Sequence, residues 1–191
     1  MSNLVFVTKN DGKFHTARKD LEKYGITLIQ REIELPEPRT YDFREIAKGK
    51  ALYAAEKLNE PLIVNDAGFF MSSYGGFPRT YVNFALETLG IEGMLKLFEG
   101  TDRRCEFRQA VAYWEPGIGS PQVFEAVVPG MASTEIKGVE RPEQWSRLWL
   151  IFIPEGQRKT LAEMSEMEFN NWRINRGKSV FDLFGEWYVS R

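Results

Sequence analysis

Two periodicities alternate along the first third of the chain, and few architectures accept that alternation. Leu4-Val5-Phe6-Val7 is a short apolar run that passes directly into Thr8-Lys9-Asn10-Asp11-Gly12-Lys13. This predicts a buried strand ending in a tight polar turn. Phe14, Ala17, Leu21 and Tyr24 then recur at helical spacing, with Gly25 placed to end the helix. Residues 26–33 alternate and predict a second strand. After a loop over 36–40, Asp42 is the expected N-cap of a long helix, with Glu45 as its capping-box partner. Phe43, Ala47, Ala51, Ala54 and Leu58 stripe that helix, and Asn59-Glu60 ends it. Leu62-Ile63-Val64 is apolar throughout, predicting a strand central in a sheet that ends in Asn65-Asp66-Ala67-Gly68. Strand, helix, strand, helix, strand gives an α/β class.

The rest of the chain has a different texture. Residues 72–78 are a turn-rich loop, and two helices over 81–89 and 91–98 are split at Gly90. Residues 104–114 alternate as a strand, 116–121 form a hairpin loop, and 122–128 return. Another strand is expected over 148–153, with helix from Lys159 onward. The 191 residues fit a single domain over 1–191, with room for two lobes. With 25 basic and 27 acidic residues the formal charge is −2, which excludes a strongly basic nucleic-acid binder. A lone cysteine, Cys105, excludes an internal disulfide and a cysteine-cluster zinc site, and a lone histidine, His15, excludes a multi-histidine metal site. No apolar run approaches the ~20 residues of a membrane helix, and the N-terminus carries no basic leader. The expectation is a soluble cytoplasmic protein with neither nucleic acid nor membrane as a partner.

Four places could carry chemistry. In the Thr8–Lys13 turn, helix-start amides favour anions, Lys13 adds a point charge, and Thr8 and Asn10 add short polar groups. This is a phosphate cradle or an ordinary strand–helix loop. Glu45 is a capping partner or a metal ligand. Asp66 follows a buried strand, where ligands meet open α/β sheets, and Gly68 would let backbone approach a ligand; the alternative is a turn aspartate. Glu45 and Asp66 together could hold a hard cation such as Mg²⁺. Lys159, Arg173, Arg176 and Lys178 suit phosphate or a purine edge, or form a solvated face. Trp145, Trp149 and Trp172 could stack a base or fill a core.

No single motif here is specific, but their order is. Thr-x-Asn-x-x-Lys follows strand one, a Phe-x-Glu helix carries Lys50 five residues after Glu45, and a strand leads into Asp-x-Gly and then Gly-Gly-x-Pro. Ile-Phe-Ile-Pro-Glu-Gly, Lys-Thr-x-Ala-Glu-Met and Arg-Gly-Lys come near the end. This pattern, from about Leu4 to Lys178, resembles the Ham1 family, the inosine/xanthosine triphosphate pyrophosphatases. The resemblance implies an elongated α/β fold with a long mixed central sheet flanked by helices and an active-site cleft between two lobes. It implies Mg²⁺-dependent hydrolysis (Mn²⁺ in its place) of deaminated purine nucleoside triphosphates to monophosphate and pyrophosphate, by a homodimer. By the same resemblance, Thr8, Asn10, Lys13 and Lys50 bind the triphosphate. Glu45 and Asp66 hold the metal, Asp66 is catalytic, and Gly68, Trp149 and Arg176 belong to substrate binding.

The sequence departs from the family pattern near the site. Asn65 stands where the family usually has an acid, and Ala67 where it has Ser or Thr. Ser146-Arg147-Leu148-Trp149-Leu150 replaces the family's base-pocket segment, and Glu168-Phe169-Asn170 lacks a family lysine. The expected activity is nucleoside triphosphate pyrophosphohydrolysis. The alternative is a family member that binds a nucleotide or another phosphorylated ligand without hydrolysing it.

Overall fold

A computed structural model describes residues 2–36, 40, 42–141 and 144–191. Residues 37–39 of the expected 36–40 loop lie outside the described residues. The strands are β1 (Ser2–Val7), β2 (Ile26–Arg31), β3 (Leu62–Met71), β4 (Pro78–Arg79), β5 (Arg104–Trp114), β6 (Gln122–Ala132) and β7 (Phe152–Pro154). The helices are α1 (Asp11–Glu22), α2 (Phe43–Leu58), α3 (Val82–Lys96), α4 (Glu166–Asn175) and α5 (Val180–Ser190). The strands form one mixed sheet in the order β2-β1-β3-β5-β6-β7, with β4 on β3. β1 pairs in parallel with both β2 and β3, whereas β3–β4 and β6–β7 are antiparallel.

The chain divides into two compact units, the first comprising Met1–Ala67, Gln109–Ala126 and Lys178–Arg191. Its core gathers Leu4 and Phe6 of β1, Ala17 and Leu21 of α1, Ile63 of β3, and Phe181 and Phe184 of α5. Within this unit the chain runs from β1 out to β2, then crosses back to place β3 on the other side of β1. The carboxyl ends of β1 and β3 therefore flank a topological switch point, where open α/β sheets receive ligands.

The second unit, Gly68–Arg108 with Val127–Gly177, has its own core. Phe69, Phe107 and Phe152 meet there at ring-centroid distances of 4.7–6.2 Å. The expected break at Gly90 is present: its φ of 67° and ψ of 177° interrupt α3, a conformation glycine adopts without steric cost. Cys105 is buried, which pushes its thiol pKa up, as fits a small apolar filler.

Three expectations need correction. β3 does not stop at Val64 but continues to Met71, because β4 pairs with Phe69 and Phe70 and carries the sheet past the polar residues. Residues 148–153 are not one strand: Arg147–Leu150 form a 3₁₀ turn, capped by the Ser146 hydroxyl accepting from Leu148 N at 3.3 Å, before β7 begins. An apolar run this short carries no period that separates strand from turn. Glu45 does not close a capping box. Asp42 caps α2 by accepting from Arg44 N and Glu45 N, but its own amide donates to Thr40 Oγ1 at 3.2 Å.

A buried polar lock joins α1 to α5. Ser179 and Asp182 form a reciprocal capping box, the Ser179 hydroxyl donates to Asp20 Oδ2 at 3.2 Å, and Lys23 Nζ reaches Asp182 Oδ1 at 2.5 Å. Burial pushes the Asp182 carboxyl upward, but Lys23 and the Ser179 amide and hydroxyl outweigh it and hold the group below its ordinary value. A depressed carboxylate stabilises the fold above its unfolded-state pKa and loses that contribution as pH falls through the folded-state one. Asp182→Asn therefore lowers Tm most at neutral pH, and the gap to wild type narrows on acidification. Thermal melts between about pH 7 and pH 3 check this, the range in which an aspartate titrates; a constant gap refutes it.

Candidate active site

The site of the first unit begins at the end of β1. Thr8 N donates to Arg31 O at 3.0 Å, so β2 holds the turn from one side. The Thr8 hydroxyl accepts from Asn10 N at 3.1 Å, and Asn10 Oδ1 accepts from Lys13 N at 2.9 Å, making Asn10 the N-cap of α1. The short polar side chains thus first shape the turn, satisfying amides that a helix start leaves without intrahelical partners. Lys13, in the first turn of α1, reaches across to Asn65 O at 3.4 Å. The register explains this reach. β1 pairs with β3 as far as Val7 with Val64, and Asn65 is the first β3 residue beyond that register.

Asp66, one residue on, meets Lys50 of α2. Lys50 Nζ donates to Asp66 Oδ1 at 2.7 Å, with side chains only 7% and 9% exposed. The buried positions of α2 are Phe43, Ile46, Ala47, Lys50, Ala51, Ala54 and Ala55, so the lysine stands within the apolar stripe. Burying an ammonium costs several kcal/mol unless it is paired, and here Asp66 pairs it. The second carboxylate oxygen, Asp66 Oδ2, is buried with no hydrogen-bond partner among the described residues. Such an oxygen is either a standing penalty or the position at which a cation or water is received.

Asn65, half-buried, contributes its carboxamide. Nδ2 donates to Ala110 O of β5 at 3.1 Å and to Asp66 O at 3.3 Å. Glu45 is placed differently from Lys50. It lies on the exposed side of α2, and its carboxylate contacts Lys48 at 3.1 Å with 60% of the side chain exposed. Among the described residues no group of three or more His, Cys, Asp or Glu forms a cluster able to hold a metal. One contributor had no local signature: Gln30 Nε2 donates to Thr8 O at 3.3 Å and to Asp11 Oδ1 at 3.1 Å, bracing the turn. It arrives through the parallel register of β2 with β1, which no spacing within either strand announces.

The structure thus brings a strand-end turn with a lysine beside a buried Lys–Asp pair at a sheet switch point, and known proteins bear on what such a site does. The model of the Ham1 family matches residues 4–184. A protein of Methanopyrus kandleri named dITP/XTP pyrophosphatase is 38% identical over 97% of this chain and 95% of its own. One of the same name from Methanosarcina acetivorans is 35% identical over 100% of both. The chain belongs to the Ham1 family. A solved structure of a HAM1 protein from Coxiella burnetii, 19% identical, covers 100% of both chains with a TM-score of 0.80 and shares the fold.

The remaining candidates sit in the second unit, except Lys178, which belongs to the first. Gly68 is a buried residue of β3, two positions past Asp66. Trp149 is 4% exposed in the 3₁₀ turn. Its ring lies 6.2 Å from Trp145 and 5.0 Å from Phe169, so among the described residues it packs as core, and its indole nitrogen is buried without a hydrogen-bond partner. Arg176 caps α4 and lies over the Trp172 ring at 4.7 Å. Both line a cavity of about 350 Å³ with Glu155, Glu168 and Asn171. Of the other basic candidates, Lys159 pairs with Glu168 and Lys178 with Glu186, each at 2.6 Å. In this Ham1 chain Leu148, Trp149 and Leu150 of the 146–150 segment are therefore buried, with Trp149 packed against neighbouring rings.

The buried pair generates a stability prediction. Lys50→Met leaves the Asp66 charge without its counter-ion and destabilises the protein by about 3–5 kcal/mol. Adding Asp66→Asn to Lys50→Met recovers much of that loss. Urea denaturation of the two single variants and the double variant measures the coupling; additive losses refute it.

Proposed function

We propose that this protein is a metal-dependent nucleoside triphosphate pyrophosphatase acting on oxo-purine nucleotides, with Asp66 as the carboxylate that activates water. The observation that carries the reading is the state of Asp66: one oxygen is fixed by a buried ammonium and the other is buried without a partner. Family membership and the dITP/XTP pyrophosphatase names of relatives support the reaction class and the substrate class. The homodimer implied by the family is part of the same proposal.

Asp66 Oδ2 and Glu45 offer hard oxygen donors, which Mg²⁺ or Mn²⁺ prefers alongside phosphate oxygens. The buried, unpartnered Oδ2 fits a cation, whereas Glu45 has to leave Lys48 to join it. Asp66 and Glu45 would hold the ion, which when bound supplies neutralisation of phosphoryl charge and a more acidic water. This chain's residues do the rest. Lys13 and the α1 start bind the phosphates. Thr8 and Asn10 hold the turn in place. Lys50 keeps the Asp66 carboxylate oriented and contributes positive charge beside the phosphates. Asp66 accepts a proton from the attacking water at Oδ2. The water oxygen bonds to the α-phosphorus, the bond from that phosphorus to the bridging oxygen breaks, and pyrophosphate departs with its electron pair. Arg176 and Trp149 belong to the base side, where donors to a purine carbonyl discriminate an oxo from an amino purine.

The assay is pyrophosphate release from ITP, dITP, XTP, ATP and GTP with Mg²⁺ or Mn²⁺. Release is expected from the oxo-purine triphosphates, and Asp66→Asn lowers kcat by at least ~100-fold, the scale of a lost general base. Lys13→Ala raises KM by roughly tenfold to a hundredfold, the scale of one charge-assisted hydrogen bond. Nucleotide-dependent thermal stabilisation without release of pyrophosphate points instead to the binding protein. Release unaffected by Asp66→Asn refutes the assignment of Asp66.

A further inference from the structure

The surroundings of Asn65 show what its amide does. Both groups facing its side chain, Ala110 O at 3.1 Å and Asp66 O at 3.3 Å, are backbone carbonyl oxygens. A carbonyl oxygen only accepts, so the carboxamide must present its nitrogen, and its two hydrogens serve the two bonds. A carboxylate at the same place would set a negative oxygen against two carbonyl oxygens. Meanwhile the backbone carbonyl of Asn65 accepts from Lys13 Nζ at 3.4 Å. The next residue is Asp66, whose carboxylate holds Lys50. One residue thus touches β5 through its side chain, the phosphate-cradle lysine through its carbonyl, and Asp66 through the adjoining peptide.

We infer that Asn65 is a positioning residue: its amide ties β3 to β5 and so fixes the spacing between Lys13 and the Asp66 carboxylate. This rests on the proposed role of Asp66 in activating water. The tether matters to rate because reacting groups displaced by about an ångström lose on the order of a hundredfold. It acts on Asp66 more than on substrate affinity, since Lys13 keeps its charge and its helix whatever residue 65 is.

The test compares Asn65→Asp with Asn65→Ala in the full-length protein. At pH 8 both variants are expected to lose kcat by about tenfold to a hundredfold, with KM changed far less. Both variants are also expected to melt at a lower Tm than wild type. Asn65→Asp activity equal to wild type at pH 8, a lowered metal requirement for Asn65→Asp, or a KM raised as much as kcat is lowered would each overturn the tether. If wild type releases no pyrophosphate from any triphosphate, the proposed function fails instead, and the Tm comparison alone decides whether Asn65 is a tether.

Discussion

A lysine and an aspartate, each more than nine-tenths enclosed, meet at 2.7 Å between α2 and β3, and the first unit is organised around that contact. Neither charge could remain there without the other, since separating ions of this kind inside a protein costs more than most single contacts return. The pair therefore fixes how α2 lies on the sheet. It also holds a carboxylate near the carboxyl end of β1, where parallel strands and a helix start converge. Stability and chemistry draw on the same two residues. The cost of this arrangement is the unpartnered oxygen Asp66 Oδ2, and in the proposed reaction that oxygen takes the proton.

Around this pair the phosphate side is a series of short links. Gln30 braces the β1–α1 turn, Asn10 caps α1, Lys13 reaches Asn65, and Asn65 holds β5. Each bond by itself is worth only about 0.5–1.5 kcal/mol, but together they set positions that no single strand or helix could set. Glu45 is the loose member, solvent-exposed and paired with Lys48. An exposed pair of this kind is worth little, so a ligand can take Glu45 from Lys48 at small cost. The second unit differs in character. Trp149 is locked among rings, and Arg176 lies on Trp172 beside a cavity.

Much of the first unit was legible because its elements are local. β1, α1 and α2 lie where apolar periodicity, the Asn59 stop and the Asp42 cap predict them, and 104–114 forms the expected strand. The failures have physical reasons. The polar run Asn65–Gly68 signals a turn, yet pairing with β4 and neighbouring β5 keeps it extended. The buried run 148–153 has no period to read. Lys50 was legible in principle: it occupies a position of the α2 stripe otherwise given to Ile46, Ala47, Ala51 and Ala54. A lysine in an apolar stripe requires a buried acid somewhere in the fold, and reading the stripe as apolar residues alone passed over that demand.

By itself the sequence determined the α/β class and the placement of most helices, because these follow from spacing and from side-chain chemistry at fixed intervals. Folding decided the partners. Asp66 acquired Lys50 from sixteen positions away, Lys13 met a carbonyl fifty-two positions on, and the Asn65 amide found β5 forty-five positions on. Strand register and helix docking are long-range outcomes of burying the whole core at once. Only they could place the Asn65 amide as a donor between two carbonyl oxygens.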